Sequence, residues 1–178
     1  QSRSSAASDV YKRQLPELES KVGQRLRFRS VNYPDYYISR LNNGGVAISN
    51  SATDKDWIVR RGLAGKGFSL ESQSGGFLRH RNYQVWVDPQ SNADLYKKDS
   101  SFTIEHGAAG KGITFKSVNY PSFSLRHSGY NLWISHNDGS QLLNLDSSFE
   151  VVQVIPPKLE LKVGQRLRFR SVNYPCLL

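Results

Sequence analysis

Apolar and polar residues alternate over short stretches along most of the chain, and turn residues separate these stretches about every 8–12 positions. The segment Leu26–Ser30, which reads Leu-Arg-Phe-Arg-Ser, is typical. Alternation with a period of two places apolar side chains on one face of a β-strand. No stretch shows the three-to-four-residue apolar spacing of an amphipathic helix. The pattern therefore predicts an all-β domain, either a barrel or a sandwich.

A strand that ends in serine occurs four times, and its serines stand 42, 45 and 54 residues apart. The copies are Leu26–Ser30, Phe68–Ser72, Ile113–Ser117 and Leu167–Ser171. After each of the first three come a tight turn, two short strands and a closing strand that follows an aspartate. Three four-stranded units give twelve strands, which predicts a β-trefoil with pseudo-threefold symmetry, whereas a propeller usually has at least four blades. One unit alone would leave its apolar face in water, so the three must pack together.

The repeats predict one domain over residues 15–161. Its units lie at about 22–66, 67–111 and 112–157. Residues 1–14 are interpreted as a non-native or disordered leader, since part of this segment resembles the translation of a sequencing-library adapter. We expect no site in the leader.

The segment 162–175 is identical to the segment 21–34. We interpret residues 162–178 as the truncated start of a second copy of the domain, followed by a non-native tail, and an artefact of sequence assembly is the alternative. The spare strand could compete with residues 25–30 for one position, which allows strand exchange between chains. Apart from that exchange, the expected state is a monomer.

The net charge of +9 raises the hypothesis of a nucleic-acid-binding protein, because a basic surface binds phosphate without reading sequence. Residues 1–14 carry a net +2 and residues 162–178 a net +4, which leaves +3 for residues 15–161. That balance is ordinary for a domain of this size, so no nucleic-acid partner is expected. No apolar run approaches the roughly 18 residues of a membrane span, so no membrane partner is expected either.

Two histidines occupy the same position in the second and third repeats. His80 and His127 each follow an arginine, and an aromatic residue comes three positions later, Tyr83 and Tyr130 respectively. An aspartate stands 19 residues beyond each histidine, at Asp99 and Asp146. An imidazole, a carboxylate and a ring suit a sugar, whose hydroxyls donate and accept while one ring face is partly apolar. The recurrence predicts one small pocket in each of these two repeats.

Structural roles are the alternative for the same residues. The histidines could be half-buried strand residues, and the aspartates could form turns by accepting nearby backbone N–H groups. The Asn-Tyr-Pro strings that start at Asn32 and Asn119 are interpreted as turns, and the three tryptophans as packing residues. The first repeat has Arg40 in place of histidine, only 14 residues before Asp54, so the pattern gives no support to a third pocket.

The motifs resemble a known family. Ser-Val-Asn-Tyr-Pro at 117–121, Leu-Arg-His at 78–80 and 125–127, and Asp-Ser-Ser-Phe at 146–149 are similar to signatures of the arabinose-binding domain of arabinofuranosidase B, a family 42 carbohydrate-binding module. The resemblance covers residues 22–155. It implies a β-trefoil that binds arabinofuranose side chains of arabinoxylan or arabinan.

The resemblance also implies roles for particular residues. His80 would pair with Asp99 and His127 with Asp146, and two tyrosines would line the pockets. The domain would be an appendage of a secreted α-L-arabinofuranosidase whose catalytic domain lies elsewhere.

Two other functions are possible for the same sequence, a hydrolase and a protein-binding domain. A hydrolase needs a pair of carboxylates at a defined separation, but Asp88, Asp94 and Asp138 lie in predicted loops without repeated partners. The leading alternative is a protein-binding or cytoskeletal β-trefoil without sugar affinity, because one fold serves unrelated partners. No cluster has the spacing of metal ligands, so neither a metal nor a cofactor is expected.

Overall fold

The computed structural model describes residues 16–155 of the 178. Twelve antiparallel strands make up nearly all of the regular structure in this range: β1 (Arg25–Ser30), β2 (Tyr37–Arg40), β3 (Val46–Ser49), β4 (Trp57–Arg61), β5 (Phe68–Ser72), β6 (Phe77–Arg81), β7 (Gln84–Asp88), β8 (Phe102–His106), β9 (Ile113–Ser117), β10 (Phe123–Ser128), β11 (Asn131–His136) and β12 (Phe149–Gln153). The prediction of an all-β domain with twelve strands is confirmed. The leader, the second copy and its tail lie outside the described residues, and so does the strand exchange that depends on them.

Six strands pair in a closed ring. The order around it is β1, β4, β5, β8, β9 and β12, and β12 returns to β1. The last pairing is long, running from Leu26 opposite Gln153 to Ser30 opposite Phe149. A closed ring leaves no edge strand among its members to pair with another chain.

The other six strands form three hairpins, β2–β3, β6–β7 and β10–β11. They branch from the carboxyl ends of β1, β5 and β9, which run in the same direction because an antiparallel strand separates each from the next. The hairpins also contact one another: Asn131 of β11 pairs with Ala47 of β3, and Trp133 of β11 pairs with Gln84 of β7. All three hairpins therefore gather at one end of the ring.

The inside of the ring is apolar because every second residue of its strands points inward. Phe28 and Phe115 meet edge to face with ring centroids 5.1 Å apart, and both are fully buried. Trp57 is fully buried as well and donates its indole N–H to the carbonyl oxygen of Ile38 at 2.8 Å. This burial agrees with the packing role predicted for Trp57.

Within residues 16–155, three short helices were not predicted: α1 (Pro16–Glu19), α2 (Asp94–Asp99) and α3 (Gln141–Asp146). None reaches two turns, which is too short for helical periodicity to be visible. Ser140 caps α3 by accepting the N–H of Leu143 at 3.2 Å. No helix within residues 16–155 is long and apolar enough to cross a membrane. In the second and third repeats the helix ends at the aspartate singled out above, and the shorter first repeat has no helix there.

Candidate functional site

The second repeat brings His80 and Asp99 together. His80 lies on β6 and Asp99 is the last residue of α2. His80 Nε2 and Asp99 Oδ1 are 3.7 Å apart, too far for a hydrogen bond, and both residues are buried. Arg79, next to His80 on the strand, places Nη2 3.2 Å from Asp99 Oδ2. The ion pair holds the carboxylate at the base of a cavity of 350 Å³.

The third repeat supplies the remaining partners of this pair, which sequence reasoning missed. The Ser117 hydroxyl lies 3.0 Å from His80 Nε2, and Asn119 donates from Nδ2 to Asp99 Oδ1 at 2.8 Å. The half-exposed ring of Tyr120 lines the cavity, and its centroid lies 5.6 Å from the centroid of the imidazole. The Asn-Tyr-Pro string therefore does more than form a turn. The sequence contains a sign of this role, because the string lies at a fixed distance after the repeated serine.

The third repeat forms a matching cavity of 260 Å³ with partners from the first repeat. Arg126 donates from Nη2 to Asp146 Oδ2 at 2.7 Å, and His127 Nε2 lies 3.5 Å from Asp146 Oδ1. Asn32 donates from Nδ2 to Asp146 Oδ1 at 2.8 Å, while its own Oδ1 lies 2.9 Å from His127 Nε2. Because Asn32 Oδ1 is an acceptor, Nε2 carries the imidazole proton and Nδ1 is an acceptor. The Ser30 hydroxyl is 3.3 Å from the same Nε2.

Tyr83 and Tyr130 stand at the tips of their hairpins and line the two cavities. Each has a φ of 66°, in the left-handed region that non-glycine residues seldom occupy. About half of each side chain is exposed. Tyr83 stacks on Phe123 and Tyr130 on Tyr36, with ring centroids 5.6 and 5.5 Å apart. Each stack packs one tyrosine ring against a second aromatic ring beside the cavity.

Burial determines the charge at the base of both cavities. Burial, helped by the nearby Arg79 cation, lowers the pKa of His80 to about 4, and burial also lowers the pKa of His127. Both imidazoles are therefore neutral near pH 7. Burial raises the pKa of Asp99, opposed by the Asn119 hydrogen bond and by Arg79. The base of each cavity offers a neutral imidazole and a carboxylate clamped by an arginine and an asparagine.

The geometry bears on the structural roles that the sequence left open for the two histidines and the two aspartates. Both histidines are buried rather than half-buried, with exposures of 2% for His80 and 4% for His127. Within residues 16–155, the carboxylates of Asp99 and Asp146 accept from arginine and asparagine side chains and from no backbone N–H. The aspartates therefore cross-link repeats instead of forming local turns.

A third cavity, of 340 Å³, lies at the corresponding place in the first repeat, where the sequence pattern does not support one. Arg40 takes the position of the histidine, and its Nη1 is 4.0 Å from Asp54 Oδ2. Ser72 and Ser74 donate to the same oxygen at 2.8 and 2.7 Å. No aromatic residue is among the described residues that line it. The three cavities thus share a plan, but the first has different chemistry.

A metal-dependent site has no counterpart in the part of the chain that the structure describes. Within residues 16–155, no three His, Cys, Asp or Glu side chains come close enough together to hold a metal ion.

Comparison with known proteins identifies the family. The model of the alpha-L-arabinofuranosidase B (ABFB) domain matches residues 26–151, which is most of the chain. The chain belongs to this domain family, as the sequence motifs predicted. Among curated proteins, an arabinofuranosidase/B-xylosidase of Trichoderma koningii is 36% identical over 87 residues, covering 45% of this chain and 17% of that protein. A probable alpha-L-arabinofuranosidase B of Aspergillus fumigatus is 32% identical over 115 residues, covering 59% of this chain and 23% of that protein.

A solved structure of an arabinofuranosidase also resembles this chain. The crystal structure of an arabinofuranosidase complexed with arabinofuranosyl-alpha-1,2-xylobiose superposes with a TM-score of 0.68 at 25% identity. The match covers 74% of this chain and 31% of that one. The chain therefore spans only a minor part of the enzymes it resembles.

Proposed function

We propose that this chain is a carbohydrate-binding domain with a β-trefoil fold, which recognises L-arabinofuranose side chains of arabinoxylan or arabinan. The closed ring of six strands with three hairpins at one end supports the β-trefoil. Membership of the arabinofuranosidase B domain family supports the ligand class. The observation that carries the proposal is the recurrence, in two cavities, of one set of residues with nearly the same distances.

The chemistry of each cavity suits a small neutral sugar. The carboxylate of Asp99 or Asp146 accepts from one hydroxyl group, and the neutral imidazole accepts from a second one. Tyr83 or Tyr130 packs against the apolar face of the ring. Because Arg79 and Arg126 already hold the carboxylates at 3.2 and 2.7 Å, the acceptors are fixed before the ligand arrives.

Two cavities on one rigid domain suit a branched polymer. Each net hydrogen bond contributes about 0.5–1.5 kcal/mol, so a single shallow cavity binds weakly. Simultaneous occupation of both cavities on one polysaccharide chain raises the overall affinity through effective concentration. We expect weak binding of the monosaccharide and stronger retention on the polymer.

The same chemistry argues against catalysis by this chain. Glycoside hydrolysis uses two carboxylates on either side of the scissile bond. Among the described residues, each of the two cavities is lined by one carboxylate, and that carboxylate is held by an arginine. We propose that the chain is a non-catalytic appendage and that an attached α-L-arabinofuranosidase domain performs the hydrolysis.

Retention on insoluble polysaccharides tests the proposal. The full chain should bind arabinose-substituted xylan and should not bind xylan from which the arabinose has been removed. His80→Ala and His127→Ala should each weaken retention, and the double variant should abolish it. His106→Ala is a matched control, since His106 lies on β8 and lines neither cavity. Equal retention on the two polymers would refute arabinose recognition, and no retention on either would favour a protein-binding β-trefoil.

A further inference from the structure

The cavity of the first repeat contains an arginine with unused hydrogen-bonding capacity. Arg40 donates no side-chain hydrogen bond within residues 16–155, and its one ion pair, to Asp54 Oδ2, is long at 4.0 Å. The arginines of the other two cavities, Arg79 and Arg126, approach their aspartates to 3.2 and 2.7 Å. The Arg40 side chain is 29% exposed, and it lines the cavity.

One carboxylate oxygen of Asp54, Oδ2, is already supplied with donors that do not come from Arg40, whereas Oδ1 is buried without a hydrogen-bond partner among residues 16–155. The hydroxyl groups of Ser72 and Ser74 both donate to Asp54 Oδ2. They replace the asparagine side chain that serves the aspartate in each of the other cavities. The guanidinium group of Arg40 is therefore not needed to satisfy this oxygen, and its remaining N–H groups can serve a ligand.

The residues that line this cavity also differ from those of the other two cavities. The other two cavities have tyrosines on both sides, but the described lining of the first is aliphatic or polar and includes Asn42, Ser51 and Thr53. Gly75 follows Ser74 at the place where Tyr120 follows Asn119. Without a ring to stack on, a ligand here is recognised by charge and hydrogen bonds.

We propose that the first-repeat cavity binds the carboxylate of an acidic sugar, a uronic acid residue, through Arg40. A guanidinium group binds a carboxylate through charge-assisted and often bidentate hydrogen bonds. The hydroxyl groups of Ser51 and Thr53 and the amide of Asn42 are partners for sugar hydroxyls. The cavity, at 340 Å³, is nearly as large as that of the second repeat, at 350 Å³. The domain then binds two kinds of sugar, a neutral one at two cavities and an acidic one at the third.

Nuclear magnetic resonance titration of the full chain tests this proposal. The probes are methyl α-D-glucuronoside, the neutral methyl α-D-glucoside and acetate. The acidic glycoside should shift the backbone amides of Asn42, Ser51 and Thr53 with about millimolar affinity. The neutral glycoside should leave them in place, and acetate should bind at least about fivefold more weakly because it lacks hydroxyl groups.

Two variants at Arg40 and one control complete the experiment. Arg40→Gln and Arg40→His should each weaken binding of the acidic glycoside about tenfold or more, because both remove the permanent charge. Arg61→Gln should leave it unchanged, since the Arg61 side chain is 77% exposed and lies outside the cavity. Unshifted amides, equal shifts with the neutral glycoside, affinity for acetate equal to that for the glycoside, or unchanged binding by both Arg40 variants would each overturn the proposal. The amides of Tyr83 and Tyr130 report separately on the proposed arabinose pockets, so the two proposals can fail independently.

Discussion

Asn32 donates from Nδ2 to Asp146 Oδ1 at 2.8 Å, across 114 residues of chain. The same amide places its oxygen 2.9 Å from His127 Nε2, so one side chain orients both polar groups of the third-repeat cavity. This contact requires closure of the ring, because Asn32 follows β1 and Asp146 precedes β12. The site is thus a product of the whole fold rather than of one repeat.

Replacing Asn32 should affect one cavity only. Asn32→Ala removes a donor from a buried carboxylate, which should lower the free energy of unfolding by about 1–3 kcal/mol. It should also weaken sugar binding at the third-repeat cavity and leave the second-repeat cavity unchanged. Asn119→Ala should have the mirror-image effect. Chemical denaturation and amide shift mapping measure both quantities, with the exposed Asn92→Ala as control. An equal loss at both cavities would contradict the separate assembly of the two sites.

The pKa of His80 predicts how stability depends on pH. Burial lowers the pKa of His80 from its ordinary 6.5 to about 4. Above pH 6.5 the imidazole is neutral in the folded and the unfolded chain. As the pH falls from 6.5 to about 4, only the unfolded chain gains the proton, so the free energy of unfolding should decrease by up to about 3 kcal/mol. The buried His127 adds to this decrease, because its pKa is lowered too.

Asp99 contributes with the opposite sign. Its pKa is raised, so its contribution to stability is present at acid pH and is lost as the pH rises through the folded value. Denaturation at several pH values between 4 and 7 measures the net effect for the unmodified chain and for His80→Gln. The variant should show a shallower decrease. Identical curves for the chain and His80→Gln would show that His80 does not stay neutral on folding.

A pair of glycines tests closure of the ring. At Gly67, with a φ of 67°, an added Cβ would lie 2.2 Å from the carbonyl oxygen of Phe102, where β5 meets β8. At Gly65, with a φ of 74°, nothing lies within 4 Å of an added Cβ. Gly65→Ala should cost about 1–2 kcal/mol from the backbone conformation alone. Gly67→Ala should cost more than about 3 kcal/mol, because the backbone must also move. Similar melting temperatures for the two variants would contradict this packing.

The sequence predicted the fold better than the site. The repeated serine strands led to twelve strands because alternation and turn residues are local signals, and the offset of 19 residues led to both His–Asp pairs. The helices that end at Asp99 and Asp146 were missed, since six residues carry no visible period. The roles of Arg79 and Arg126 were missed too, although both precede the histidines in the sequence, because an ion pair depends on side-chain geometry.

The partners from the next repeat were missed for a different reason. Comparing repeats with one another shows which residues recur, but not which repeat a recurring residue faces. Ser117 and Asn119 recur with Ser30 and Asn32. In each pair the serine contacts the histidine and the asparagine contacts the aspartate of the preceding repeat. The cavity at Arg40 was not predicted because the first repeat lacks the His–Asp pattern and because a cavity depends on the shape of the backbone.

Chemical-shift mapping with methyl α-L-arabinofuranoside tests the central claim most directly. The proposal predicts shifts at the amides around Tyr83 and around Tyr130, with two sites per chain. Tyr83→Gly should lose the first set, keep the second and stay folded, because glycine accepts the φ of 66° at this position. Two saturating sites that respond separately to the variants would support the two-pocket sugar-binding domain. Unperturbed amides at saturating glycoside, or shifts confined to other parts of the surface, would contradict it.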